Sequence, residues 1–392
     1  MDVLLVSPWR LDGFVCGDDI ITDLLMAHPP TGVAFRHFGQ ALAGGELYRS
    51  HPVRAWLASL AMHSRPPAGV RYRWEGLPPL PYRLAGKLLP DRPDLDVQWL
   101  GAARKPPFDL IHAYTFPVHL AARARKLPLV LGNSSGNTDL LANYYGYAPA
   151  QYGPLVARDR GLIRRLGIDH DLYNAARARL VILPSRYAMR LHAEAGVPEA
   201  KLRLVRVGMP VPELPPARAV DGCRFTMVGQ GFWRKGGKTL LAAFARLHAR
   251  HPEARLTIVS NVPELEAPPG VELIPSLPRD EVLGRIYPAT DVYVLPTLAE
   301  GYGLSVVEAM GHGLPVIASR VGALDELVAD GETGRLVAPG SEQELFEAMQ
   351  ALLMDAAARR AMGAAGRAAF LADHAVEVTN RALAAAYAEA LG

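Results

Sequence analysis

Short hydrophobic runs alternate with longer segments of helical pattern along most of the chain. Four runs in the first half each end in small or polar residues: 3–7, 108–114, 128–133 and 179–185. Between them lie alanine- and arginine-rich segments of helical pattern, for example 118–126 and 174–179. This alternation is typical of βαβ units and predicts an α/β domain with a parallel sheet.

A proline-rich stretch, 204–222, interrupts the alternation and has no apolar periodicity, which is typical of an interdomain linker. Six further apolar runs follow it: 224–231, 255–260, 271–276, 291–296, 315–319 and 334–339. Helical patterns occupy 236–250 and most of the alanine- and leucine-rich tail, 342–391. We therefore predict two doubly wound, Rossmann-like α/β domains that are joined near residue 210 and face each other across a cleft.

Composition agrees with a globular protein of two domains. The 392 residues exceed what one typical core organises, and 50% of them are hydrophobic. No run of uncharged apolar residues is long enough for a membrane span, and the first residues lack the regions of a signal peptide. Cys16 and Cys223 fit neither a disulfide framework nor a zinc site, so we expect a cytoplasmic protein.

Charge is distributed unevenly between the two halves. Residues 1–210 hold 26 Lys and Arg against 17 Asp and Glu, whereas 211–392 hold 16 against 22. An arginine-rich half favours an anionic partner, and a solvated basic surface is the alternative interpretation. No nucleic-acid-binding module is visible, so a nucleic-acid partner is not expected.

The most informative segment is a predicted strand, 291–296, that is followed by a glycine-rich turn and a helix start. It places Glu300 at the end of the strand and Glu308 in the first turns of the helix. The backbone N–H groups that open this helix are those of Gly303, Leu304 and Ser305. Unpaired N–H groups and the helix dipole favour a phosphate there, and flanking carboxylates suit hydroxyls, as in a nucleotide sugar. Ordinary surface glutamates are the alternative.

A second phosphate site is predicted after the strand 224–231. Gly229 and Gly231 follow this strand, and Lys235 precedes a helix that begins near Gly237. A lysine above a diphosphate would stabilise a departing nucleoside diphosphate. The segment is neither a Walker A motif nor a GxGxxG dinucleotide fingerprint, and a solvated loop lysine is the alternative.

Taken together, 228–244 and 300–337 resemble the C-terminal domain of retaining GT-B glycosyltransferases of family four. The resemblance is specific over 184–340 and weak over 1–107. It implies the GT-B fold with three parts: an acceptor-side domain, a donor domain and a final helix that crosses back to the first domain. The corresponding ranges are 1–210, 211–370 and 371–392.

The resemblance also implies roles for the motif residues. Lys235 would bind the donor diphosphate, Glu300 would contact the transferred sugar, and these two would be the catalytic residues. Glu308 would hold the ribose hydroxyls, and the N–H groups that open the helix would hold the distal phosphate. Ser276 and Leu277 would lie beside the nucleobase. Gly13 and Gly17 would let the first loop approach the phosphates.

Two positions depart from the family pattern. Gln230 stands where the family has an arginine, so that Arg234 or Arg10 would have to supply that charge. Ser134 stands where the family often has a histidine, and Asp139 is a nearby carboxylate that would assist or simply cap a helix. In the front-face mechanism of the family, the leaving phosphate takes the acceptor's proton, so a strong base is not required.

The function implied is transfer of a sugar from a nucleoside diphosphate to an acceptor hydroxyl, with retention and with no metal or cofactor. The acceptor would be a glycan, a lipid or a small molecule, and an anionic or lipid-linked one suits the basic first domain. An apolar stretch, 53–62, before the basic residues of 71–74 would allow peripheral contact with the inner membrane face, and a core helix is the alternative. A non-hydrolysing nucleotide-sugar epimerase and a catalytically impaired nucleotide-sugar-binding protein are the alternative functions.

Overall fold

The computed structural model describes 1–6, 17–44, 47–49, 98–102, 107–114, 118–120, 127–132, 178–194, 196–214, 223–262 and 265–392. It divides into two compact units. The first comprises Met1–Gly208 together with Glu377–Gly392, and the second is Met209–Val376. No helix in these ranges combines the length and the hydropathy that crossing a membrane requires.

The first unit contains nine strands among its described residues: β1 (Asp2–Val6), β2 (Ala34–His37), β3 (Leu47–Arg49), β4 (Gln98–Ala102), β5 (Leu110–Tyr114), β6 (Val118–Leu120), β7 (Leu129–Gly132), β8 (Leu180–Leu183) and β9 (Leu202–Leu204). Six of them form a parallel sheet in the order β2-β1-β5-β7-β8-β9. The other three form a small sheet in the order β3-β4-β6. Helical segments are Gly17–Ala27, Phe38–Ala43, Arg186–Glu194, the 3₁₀ turn Glu199–Lys201 and Val376–Leu391.

Two helical predictions in this unit are wrong where the structure describes them. Val118–Leu120 is strand β6, which pairs in parallel with β4, and the remainder of 118–126 lies outside the described residues. Of 174–179, only Ala178 and Arg179 are described, and the Arg179 N–H donates to the Leu129 carbonyl at the entry to β8. Pairing with a neighbouring strand outweighs the helix preference of an alanine- and arginine-rich composition in both places.

The final helix, Val376–Leu391, packs on the first unit's parallel sheet. Leu383 and Tyr387 are buried against β1, β5, β7 and β8. The Tyr387 hydroxyl lies 2.6 Å from Nδ1 of His112, a fully buried residue of β5. His112 Nε2 has no hydrogen-bond partner among the described residues. Burial lowers the pKa of His112 to about 3, so the imidazole is neutral at physiological pH.

Acid is therefore expected to destabilise the first unit through His112. The unfolded chain takes up a proton near pH 6.5 and the folded one only near 3, so this stability is complete above pH 6.5 and is lost as pH falls towards 3. Between pH 7 and 4.5 the loss is about 2–3 kcal/mol. Urea unfolding of the wild type and of His112→Gln at both pH values measures it. Equal losses in the two proteins would contradict the assignment to His112.

The second unit has six strands in its described residues: β10 (Arg224–Val228), β11 (Arg255–Val259), β12 (Val271–Ile274), β13 (Val292–Leu295), β14 (Val316–Ser319) and β15 (Gly334–Val337). They form one parallel sheet in the order β12-β11-β10-β13-β14-β15. Its helices are Gly237–Arg250, Arg279–Glu281, Leu304–Gly311, Leu324–Leu327, Glu342–Met354 and Ala356–Asp373, with a π turn at Val282–Ile286 and a 3₁₀ turn at Tyr287–Ala289.

The strand order reverses between β10 and β13, which are direct neighbours although β11 and β12 separate them in sequence. A doubly wound sheet binds its ligand at such a switch point, at the carboxyl ends of the strands. The prediction of two parallel, doubly wound sheets is confirmed. The loops after β10 and β13 are the ones in which the sequence predicts the two phosphate sites.

The chain enters and leaves the second unit at adjacent positions. Met209 pairs with Ala375 in an isolated parallel bridge. The Met209 N–H donates to the His374 carbonyl at 2.8 Å, and the Val376 N–H donates to the Met209 carbonyl at 3.0 Å. The two ends of this unit are thus fastened to each other by backbone hydrogen bonds.

Candidate functional site

The loops after β10 and β13 are hydrogen-bonded to each other at the switch point. The Arg234 carbonyl accepts from the Leu298 N–H at 2.8 Å and from the Thr297 hydroxyl at 3.1 Å. The two loops approach each other most closely at Gly236, where a Cβ would lie 1.9 Å from the Pro296 carbonyl oxygen. These contacts hold the loop after β10 against the loop after β13. Each loop contributes one charged side chain at the switch point.

Those charged side chains are Lys235 and Glu300, which form a buried ion pair. Lys235 Nζ donates to Glu300 Oε2, and each residue is only 8% exposed. Burial lowers the pKa of the Lys235 ammonium, although Glu300 opposes this. Burial alone would raise the pKa of Glu300, but Lys235 and Arg234 outweigh it and hold that pKa below its usual value. Glu300 is thus stabilised as a carboxylate, and Lys235 is its buried hydrogen-bond donor and ion-pair partner.

Arg234 connects the two loops as a brace. Its Nη1 donates to the Ala299 carbonyl at 2.9 Å, and its Nη2 donates to the Gln230 carbonyl at 3.3 Å. Gln230 thus lies in the loop after β10, where the predicted diphosphate site would have an arginine. The Arg234 guanidinium adds positive charge beside the Lys235–Glu300 pair, as its effect on the pKa of Glu300 indicates.

The helix Leu304–Gly311 begins directly beyond this pair. Gly303 precedes it in a left-handed conformation, with φ of 101°, and no side chain caps the helix start. Leu304 and Ser305, the first two residues of the helix, are partly exposed. An uncapped helix start with a left-handed glycine before it is suited to an anion.

Glu308 lies in the middle of the same helix, and its carboxylate is held on both oxygens. Oε1 accepts from Arg279 Nε at 2.8 Å, and Oε2 accepts from the Tyr287 hydroxyl at 3.0 Å. Arg279 directly follows the loop with Ser276 and Leu277, after β12, and in that loop Ser276 is exposed. The structure thus connects the loop predicted to lie beside the nucleobase with the carboxylate predicted to hold the ribose.

Gly322 fixes the backbone of Glu300 from the other side. It has φ of 62°, and a Cβ on it would lie 1.8 Å from the Glu300 carbonyl oxygen. Only a glycine permits this approach. The position of Glu300 therefore depends on a loop that follows β14.

Some predicted site residues lie outside the described part of the chain: Arg10, Gly13, Ser134 and Asp139. Gly17 is described as the first residue of the helix Gly17–Ala27.

The sequence prediction did not include Arg279 and Tyr287. The sequence feature that could have indicated them is an arginine and a tyrosine eight residues apart, directly after the predicted nucleobase loop. Within the described ranges, no group of three or more His, Cys, Asp and Glu side chains is arranged to hold a metal ion.

Comparison with known proteins places this site in a recognised family model. Residues 222–355, which include β10 to β15 and every site residue of the second unit, match the model of glycosyl transferases group 1. A D-inositol 3-phosphate glycosyltransferase of Corynebacterium aurimucosum is 37% identical over 148 residues, which are 33% of this chain and 35% of that protein. A GDP-mannose-dependent alpha-(1-6)-phosphatidylinositol monomannoside mannosyltransferase of Mycolicibacterium smegmatis is 29% identical over 60% of this chain and 66% of its own length. The chain thus spans less than two thirds of either relative.

Solved structures resemble nearly the whole chain. Anabaena HepE in complex with UDP and glucose is 16% identical, with a TM-score of 0.61 over 98% of this chain and 99% of that one. The sucrose-phosphate synthase of Thermosynechococcus elongatus is 19% identical, with a TM-score of 0.62 over 99% and 98%. At these identities the likeness concerns the fold, and it confirms the predicted GT-B fold.

Proposed function

We propose that this chain, whose residues 222–355 form a glycosyl transferases group 1 domain, transfers a sugar from a nucleoside diphosphate to an acceptor hydroxyl with retention at the anomeric carbon. The observation that carries the proposal is the Lys235–Glu300 pair at the switch point of the second sheet. It lies beside an uncapped helix start, with Glu308 farther along that helix. A lysine and a helix start can bind a diphosphate, and the two glutamates can bind hydroxyl groups on either side of it.

In this proposal the catalytic power comes from stabilising the leaving group. Lys235 exchanges its partner Glu300 for the donor diphosphate, whose charge grows as the glycosidic bond breaks. The N–H groups of Gly303, Leu304 and Ser305 bind the distal phosphate, where the helix dipole adds to the attraction. No metal ion or cofactor takes part in this step as proposed, because the lysine and the helix start supply the positive charge.

Glu300, once Lys235 has turned to the diphosphate, accepts hydrogen bonds from hydroxyls of the transferred sugar. The acceptor hydroxyl approaches from the same face as the departing phosphate, and the phosphate oxygen takes its proton, so the configuration is retained. The reaction as proposed therefore depends on the positions of the sugar, the leaving phosphate and the acceptor hydroxyl, and it does not need a strong base. Glu308 holds the donor through its ribose hydroxyls, and the loop of Ser276 and Leu277 lies beside the nucleobase.

For the acceptor we propose an anionic compound with a free hydroxyl. The excess of Lys and Arg in 1–210 supports this, because a basic surface attracts such a compound. Two relatives are named for D-inositol 3-phosphate and for a phosphatidylinositol mannoside, and both of these carry phosphate. A lipid-linked acceptor would add contact with a membrane surface.

The first experiment is a thermal-shift screen with UDP-, GDP-, ADP- and TDP-sugars on the wild type, Lys235→Ala and Glu308→Ala. A donor at 100 times its Kd adds about 2.7 kcal/mol to the free energy of unfolding, which raises the midpoint measurably. We expect one donor to stabilise the wild type and neither variant. Proton NMR of the product then gives its anomeric configuration. Absence of any shift at millimolar donor would refute the proposed function, and an inverted product would refute retention.

A further inference from the structure

Glu308 is held in place by two donors that come from one short helical segment. Arg279 begins this segment and donates from Nε to Oε1, while Tyr287 near its end donates to Oε2. The Tyr287 hydroxyl also lies 3.3 Å from the Ser305 carbonyl, but it has a single proton, and the carboxylate oxygen is both closer and charged. Burial, above all, raises the pKa of Tyr287 well above its usual value, so the hydroxyl remains a donor.

An unusual turn aligns these two donors. Arg279 and Tyr287 are eight positions apart, and in an uninterrupted α-helix that spacing would place them about 80° apart around the helix axis. Here the π turn Val282–Ile286 adds one residue to the helix, so that eight positions make about two turns. The arginine and the tyrosine consequently meet the same carboxylate. Single π turns of this kind are frequent at functional sites.

The two donors have different surroundings. Tyr287 is completely buried, with its ring against Tyr293 at 5.9 Å and against His312 at 5.0 Å between centroids. The Arg279 side chain is 34% exposed, and its two terminal amino groups make no hydrogen bond to any residue in the described ranges. Tyr287 is thus the buried donor to the Glu308 carboxylate, and Arg279 is the more exposed one.

We propose that Arg279 and Tyr287 are positioning residues that orient the Glu308 carboxylate so that the site selects ribonucleotides over 2′-deoxyribonucleotides. The inference rests on the proposed function, in which Glu308 binds the donor's ribose. Each carboxylate oxygen has two lone pairs. With one protein donor on each oxygen, one acceptor direction per oxygen remains, and the pair of directions matches the adjacent 2′- and 3′-hydroxyls of a ribose.

A 2′-deoxyribose offers only one of these hydroxyls, so it leaves one oriented acceptor without a partner. If the carboxylate could turn freely, it would recover a single hydrogen bond in many orientations, and the sugar would matter less. Because both oxygens are fixed, loss of the 2′-hydroxyl lowers the binding affinity. Selectivity for ribose, rather than affinity alone, is therefore the property that these two residues control.

The test is isothermal titration of the intact protein with UDP, GDP and ADP and with the 2′-deoxy form of each. The variants are Arg279→Gln, Tyr287→Phe and Glu308→Ala. Arg285→Gln is the matched control, since this arginine of the same segment pairs with Glu281 at the surface. We expect the wild type and Arg285→Gln to bind the preferred ribonucleotide at least about tenfold more tightly than its deoxy form. In Arg279→Gln and Tyr287→Phe this ratio is expected to fall to within about threefold, mainly through weaker binding of the ribonucleotide.

The outcomes separate the inference from the function on which it rests. If Arg279→Gln and Tyr287→Phe weaken both nucleotides equally and keep the ratio, while Glu308→Ala abolishes it, Glu308 binds the ribose but the positioning role is refuted. If the wild type binds no nucleoside diphosphate, the proposed function fails and the inference fails with it. The ratio is an internal comparison within one protein, so a moderate loss of stability in a variant does not imitate the expected result.

Discussion

Lys235→Met is expected to lower kcat/KM for sugar transfer by about 10²- to 10³-fold. The variant removes the cation that is to meet the charge developing on the leaving diphosphate. It also leaves Glu300 buried without its ion-pair partner. Removing one member of a buried pair costs about 3–5 kcal/mol, so the free energy of unfolding should fall as well.

A double variant separates these two losses. In Lys235→Met with Glu300→Gln, both charges are gone and the two side chains keep similar volumes, so most of the lost stability should return. Activity should stay at the level of the single variant or below it, because neither the cation nor the sugar contact is restored. Urea unfolding and steady-state kinetics on the wild type, the two single variants Lys235→Met and Glu300→Gln, and the double variant measure both effects. A double variant that regained activity together with stability would show that Lys235 acts on the fold and not on the leaving group.

Gly322→Ala is expected to lower both the stability of the second unit and its affinity for the donor, although residue 322 is not proposed to touch the ligand. The new Cβ would lie 1.8 Å from the Glu300 carbonyl oxygen, so the backbone that carries Glu300 must move. Positive φ and the clash together should cost about 2–5 kcal/mol of stability. Donor affinity should fall by about tenfold or more, since displacement of Glu300 also displaces its partner Lys235.

Gly331 provides the matched control. It also has positive φ, 82° against 62° for Gly322, but a Cβ on it would have no atom within 4 Å. Gly331→Ala should therefore cost only the conformational part, about 1–2 kcal/mol, and leave donor binding unchanged. Thermal unfolding and titration with the preferred nucleoside diphosphate compare the two variants. Equal behaviour of both would mean that the contact with Glu300 has no influence on the site.

The elements that sequence predicts well here are those whose signal is local. Strands such as β5 and β13 are buried along their whole length, and they therefore appear in the sequence as continuous apolar runs. The start of the helix Leu304–Gly311 is marked by a glycine that adopts positive φ. Because both phosphate motifs follow predicted parallel strands, their meeting at one edge of the sheet was also foreseeable, and the Lys235–Glu300 contact realises it.

Features that depend on contacts distant in sequence were not predictable in this way. β6 becomes a strand through its pairing with β4, about twenty positions earlier, and nothing within 118–126 indicates that partner. Arg279 and Tyr287 meet Glu308 from the two ends of a segment that contains a π turn, and no residue type specifies such a turn. Gly322 differs from any turn glycine only by the carbonyl group that it faces.

The bridge between Met209 and Ala375 has a consequence for how such chains diversify. The second unit is a single continuous stretch, Met209–Val376, and its two ends are hydrogen-bonded neighbours. Two recombination events can exchange such a stretch for a similar one, because the replacement also has to begin and end at neighbouring positions. The match to the family model falls entirely inside this stretch. A unit built in this way can be inherited as a whole while the sequence on either side of it diverges.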